Sequence, residues 1–162
     1  MTTKISDYVH VADRAKKLGC ATPDGIAVLP ENFESAADRS ALLFGSQAAT
    51  IRKLLEGGGL PVTNLLPSGE RVPAIHNKHF EWAPAIFISA ALLSENPSAV
   101  SVALGVISNY ATDFFRGMPS RKVKFTVVVE RKKDKLCKKI DYEGDVSGLA
   151  SLADILRQVG DE

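Results

Sequence analysis

A chain of 162 residues with 45% hydrophobic and 24% charged side chains can bury roughly 70% of the surface its unfolded form exposes, which excludes wholesale disorder and any need for a metal or disulfide staple. Two cysteines, Cys20 and Cys137, are too few and too far apart for a disulfide framework or a CxxC site, so reduced thiols are expected. The formal net charge of +1 conceals one strongly basic stretch, described below.

Residues 1–7 set no apolar run behind their charge, which argues against a secretory signal and for a soluble, cytoplasmic protein. Ile5, Tyr8, Val9, Ala12 and Ala15 then recur at helical spacing, with Gly19 as the C-terminal stop, and predict an amphipathic helix over residues 4–18. Residues 25–29, GIAVL before Pro30, read as a short buried strand, and residues 31–40 as a polar loop. Leu43, Ala48, Ile51, Leu54 and Leu55 repeat at helical spacing up to the triplet Gly57, Gly58, Gly59. Those glycines end a helix; a phosphate-binding loop needs them before one, followed by Lys and Ser/Thr. Residues 60–66 read as an edge strand because of Pro61, with a turn at Pro67, Ser68 and Gly69.

Residues 85–89, apolar and rich in β-formers after Pro84, predict a central strand. Asn96 and Pro97 are suited to the N-cap and first position of a helix reaching about Phe115 and stopping at Gly117. The two apolar runs here, 85–93 and 99–107, are separated by five residues including Pro97. Each is about half of the ~20 residues a membrane span needs, so both belong to a core and no membrane partner is expected. Residues 122–130 and 136–142 alternate apolar and polar around Arg131, Lys132, Lys133 and Asp134, an antiparallel hairpin expected at the sheet edge. Asp145 caps a last helix whose face is Leu149, Leu152, Ile155, Leu156 and Val159. Together these elements predict the α/β class: one domain over residues 1–162, a mixed sheet of about five strands with helices packed on it, and a C-terminal hairpin plus helix.

Chemistry-bearing residues are sparse. His76, His79 and Glu81 lie close in sequence but match no recognised ligand spacing, so neither a metal nor another cofactor is expected. Ser46, after Phe44 and Gly45, lacks the second glycine of a nucleophile elbow. If the strands at 25–29 and 85–89 run parallel, the loops after them meet, bringing Glu31, Asn32 and Glu34 near Glu95. Paired carboxylates there would suit acid–base work, and solvated loop acids would look the same.

Residues 121–139 carry nine basic residues against two acidic ones. Lys122, Lys124, Arg131, Lys132, Lys133, Lys135 and Lys139 are candidates for phosphate contact, yet no aromatic shares the parity of Lys122 and Lys124 to stack a base. Lys138 falls on the apolar parity of its strand, as a lysine guarding an edge would. On the helix after Pro97, Ser101, Gly105, Asn109 and Thr112 share a narrow stripe that suits either solvent or a closely packed second chain. Leu104, Ile107, Tyr110 and Phe114 form its core arc. With no catalytic set legible, a non-catalytic protein-interaction or regulatory module, binding a protein partner or another copy of itself, is the leading expectation. Nucleic-acid binding through hairpin 121–139 comes second, and an enzyme using the loop carboxylates third.

Overall fold

Every second residue of Lys122–Glu130 is apolar. In the computed structural model, which describes residues 2–45, 47–67, 74–75, 85–117 and 122–162, this alternation builds the middle strand of a five-stranded sheet. In chain order the elements are β1 (Thr2–Asp7), α1 (Val11–Leu18), β2 (Ile26–Val28), a 3-10 turn (Arg39–Ala41), β3 (Phe44–Gly45), α2 (Ala48–Gly57), β4 (Ala74–Ile75), β5 (Ala85–Ile88), α3 (Ala90–Glu95), α4 (Ala99–Phe114), β6 (Lys122–Glu130), β7 (Cys137–Asp145), a second 3-10 turn (Val146–Ser151) and α5 (Leu152–Asp161). The strand order is β1-β7-β6-β5-β2, parallel only between β5 and β6, and β3 pairs with β4 in a separate parallel bridge. The fold is the expected α/β arrangement of a mixed sheet with packed helices, ending in hairpin and helix.

One sheet face carries Ile26, Val28, Ile86, Ile88, Val123, Phe125, Val127, Val129, Ile140 and Tyr142, all buried against α2, α3, α4 and α5. The opposite face carries Ala27, Leu29, Phe87, Val128 and Cys137, covered by α1 and by residues 29–42. No described helix is long and apolar enough to cross a membrane. Within α4, Leu104 and Ile107 are buried, while Tyr110 and Phe114 pack on the cluster partly exposed.

Several elements differ from the sequence pattern. The helix expected over 4–18 divides at His10: β-branched Thr2, Thr3 and Ile5 join the ladder beside β7, and α1 starts only at Val11, with His10 as its N-cap. The helix after Leu43 likewise begins later, at Ala48, because Phe44 and Gly45 pair with β4. Residues 60–66 form no strand; they run beside β2 through a parallel bridge, Ile26 to Val62, which together with the Pro61 carbonyl covers that sheet edge. Asn96 ends α3 rather than starting α4, since Ser89 caps a short helix before it and Pro97 lies in the turn between the two. The hairpin is central, not at the edge, because β1 flanks β7 and β5 flanks β6. Lys138 therefore guards no edge; it forms an ion pair with Asp7 across β1. The turn at Ser68 and Gly69 lies outside the described residues.

Ser89 joins three elements. Its buried hydroxyl accepts from Gly25 N (2.9 Å), ahead of β2, and from Leu92 N (3.2 Å), in the first turn of α3, while Ser89 N donates to the Gly25 carbonyl (2.9 Å). Gly25 has φ +121°, and a Cβ there would lie 2.6 Å from the Pro61 carbonyl oxygen. Ser89→Ala, which leaves a buried N–H without a partner, is expected to cost about 1–3 kcal/mol in denaturant melts. Ile107→Ala should cost more, about 2–5 kcal/mol, through lost burial and a residual cavity.

Candidate functional site

The second sheet face is covered over β2 and β5 but open over much of β6, β7 and β1, where Lys4, Lys122, Lys124, Thr126, Lys139, Asp141 and Glu143 share one side of the ladder. Opposite charges meet both across the strands and along β7. Lys122 Nζ lies 2.6 Å from Glu143 Oε1 and Lys139 Nζ 3.7 Å from Asp141 Oδ2, and the Thr126 hydroxyl donates to Asp141 Oδ1 at 2.7 Å. Where this open surface meets the covered half, a cavity of about 150 Å³ takes apolar lining from Pro30, Ala85 and Val128 and polar lining from Tyr8, Glu31, Glu34, Thr126 and Lys139.

The wall bearing Glu31 and Glu34 is held by specific bonds. Arg14 of α1 donates from Nε to the Phe33 carbonyl (2.8 Å) and from Nη2 to the Ala36 carbonyl. Asn32 donates to the Ala41 carbonyl and accepts from Leu43 N, both at 2.8 Å, and Arg39 Nη1 donates to the Gly19 carbonyl at 2.7 Å. Phe33 anchors the segment in the core at 0% exposure. Gly45 leaves room for the Glu31 carboxylate, whose Oε1 would lie 3.0 Å from a Cβ at that position. Burial, reinforced by the charge of Glu34, pushes the Tyr8 phenol well above its ordinary value, so it stays protonated as a neutral hydrogen-bonding group.

Candidates that lie apart in sequence thus converge: Glu31 and Glu34, proposed as acids, share the cavity with Lys139, proposed for phosphate contact. Glu95 does not join them. β2 and β5 pair antiparallel, so the loops that follow them leave from opposite ends of the sheet, and Glu95 lies exposed at the end of α3. The acid constellation expected from parallel strands is therefore not assembled. Tyr8 was hidden from the sequence pattern by its helical spacing; the β-branched Thr2, Thr3 and Ile5 were the signal for a strand ending just before it. His76, His79, Glu81, Ser46 and Arg121 lie outside the described residues, among which no group of three or more His, Cys, Asp or Glu could hold a metal ion.

The basic candidates do not form one surface. Lys122, Lys124 and Lys139 lie on the open sheet face, whereas Arg131, Lys132, Lys133 and Lys135 occupy the hairpin tip, roughly 25 Å from Lys122 at about 3.3 Å per strand residue. Most are already matched: Arg131 pairs with Asp134, Lys132 with Asp161 at 2.6 Å, and Lys124 stands opposite Glu143 in register. Lys133 and Lys135 are exposed and have no ion-pair partner among the described residues. The other candidate surface, on α4, faces outward: Ser101, Asn109 and Thr112 are exposed, Gly105 has open space above it, and Arg157 of α5 donates to the Ser101 hydroxyl.

No protein-family model matches this chain, no curated protein matches its sequence, and no solved structure matches its fold.

Two solution properties follow. Lys138 and Lys122, by hydrogen bond and charge, hold the Asp7 and Glu143 carboxyls below their ordinary values. A depressed folded-state pKa contributes stability that is complete above the unfolded value and is lost as pH falls through the folded one. Thermal stability is therefore expected to decline below about pH 4, and Lys138→Met with Lys122→Met should flatten that acid limb. Burial also pushes the Cys137 thiol up to about 11, and Cys20 is buried as well. Both should react with a thiol reagent slowly in the native protein and promptly in denaturant.

Proposed function

We propose that this chain is a non-catalytic protein-interaction module whose receiving surface is the open half of its second sheet face, centred on the cavity between Tyr8 and Glu34. The observation that carries this reading is the mosaic of both charge signs on that surface, around a recess with an apolar lining. Another protein's surface supplies both signs and an apolar side chain to fill a recess. A polyanion would instead meet Glu31, Glu34, Asp141 and Glu143 beside the lysines of this surface. The wall held by Arg14, Asn32 and Arg39 supports the reading, because a wall already ordered loses little freedom when a partner docks.

A photo-crosslinking residue at Lys124 is expected to capture a protein in cells. The paired charge reversal Glu31→Lys and Glu34→Lys should abolish that capture with the circular dichroism spectrum unchanged, since both side chains are exposed. Nucleic-acid binding that weakens steeply with salt and is lost on Lys124→Glu would overturn the reading.

A further inference from the structure

The sheet has two edges, and they are finished differently. The β2 edge is covered by residues 60–63, with Ile26 N donating to the Pro61 carbonyl and Thr63 N to the Ile26 carbonyl. The β1 edge is bare among the described residues, over a six-residue strand whose Ile5 is 51% exposed. An uncovered strand edge is a template for another strand, so the residues along it decide which partner it accepts.

Backbone direction follows from one bond. Tyr8 N donates to the Cys137 carbonyl at 3.2 Å, and the register continues Asp7 to Lys138 and Ser6 to Lys139. In an antiparallel ladder the bonding direction alternates, so the even residues of β1 turn their N–H and C=O groups toward β7 and the odd residues Thr3, Ile5 and Asp7 turn theirs outward. We propose that β1 pairs antiparallel with β1 of a second copy of this chain about a two-fold axis at Ile5, joining two five-stranded sheets into one of ten.

Three registers pair two or more of these outward residues with one another, and the side chains separate them. Centring on Lys4 sets two ammonium groups directly opposite each other. Centring on Ser6 sets Ile5 against an Asp7 carboxylate. Centring on Ile5 packs the exposed isoleucine against its own copy, sets Thr3 opposite Asp7, where the hydroxyl can donate to the carboxylate, and sets Lys4 opposite Ser6. The charge of Lys4 is already balanced within its own sheet, where it stands opposite Asp141, and Asp7 is matched by Lys138. The two-fold axis runs along the sheet normal, which places both helical layers on one side. The exposure of Ile5 on that side leaves room for the partner strand.

This surface is separate from the open sheet face, and its test is independent of the photo-crosslinking one. The wild-type protein is expected to approach twice its monomer mass in a concentration series by light scattering, and Ile5→Lys should remain at the monomer mass with an unchanged circular dichroism spectrum. Ile5→Cys should form an intermolecular disulfide on mild oxidation, because a hydrogen-bonded antiparallel pair sets its Cα atoms about 5.5 Å apart, within disulfide range. Cys20 and Cys137 are buried and should not compete. Lys4→Cys serves as the register control and should cross-link far more slowly. A wild-type protein that stays monomeric to millimolar concentration, or Lys4→Cys linking as fast as Ile5→Cys, would overturn the proposal.

Discussion

Ser89 is the one buried polar side chain among the described residues, at 3% exposure, and the architecture turns on it. A hydroxyl oxygen this deep must be paired, and it accepts from two backbone donors on different elements, Gly25 before β2 and Leu92 in α3. That arrangement fixes the end of β5 against the start of β2 and hence sets the two strands antiparallel. Gly25 is required at the same point, because its positive φ and the Pro61 carbonyl beside it exclude a side chain. From this junction α3 leaves toward the helical face, and the segment after β2 emerges at the far end of the sheet and folds over the other face.

The two faces differ as a result. Four helices close one of them with a continuous core from Ile26 to Val159, whereas a single helix and residues 29–42 close only part of the other. The segment 29–42 has little regular structure, so its carbonyls take their partners from side chains, with Arg14 and Asn32 supplying donors to Phe33, Ala36 and Ala41. The same bonds that satisfy this backbone also set the positions of Glu31 and Glu34 at the cavity. Local polar satisfaction and the shape of the candidate site are one structural fact.

Charge follows the same geometry. The basic excess of residues 121–139 looks polarised along the chain, but tertiary packing sets each of several lysines beside an acid that is distant in sequence: strand pairing brings Lys122 to Glu143 and Lys138 to Asp7, and the end of α5 brings Asp161 to Lys132. Exposed pairs of this kind add little stability. Their effect is to turn a basic stretch of sequence into a surface of mixed sign.

Periodicity in the sequence was sufficient to identify β2, β5, the hairpin of β6 and β7, and the glycine stops after α2 and α4, because each depends on neighbours within a few residues, whereas Asp145, expected to cap the last helix, caps the 3-10 turn before it and α5 starts only after Ser151. It failed where two local patterns competed. Thr2–Asp7 and Val11–Leu18 merge into one apparent helix because Ile5, Tyr8 and Val9 satisfy the helical period, and only the unpaired side of β7 makes a strand the better state for the first of them. Composition, fold class and the individual candidates Glu31, Glu34 and Lys139 were determined by the sequence itself. Strand order, the antiparallel sense of β2 against β5, the separation of Glu95 and the meeting of Tyr8 with Glu34 were decided by tertiary structure, since they arise from hydrogen bonds between segments tens of residues apart, which no local period records.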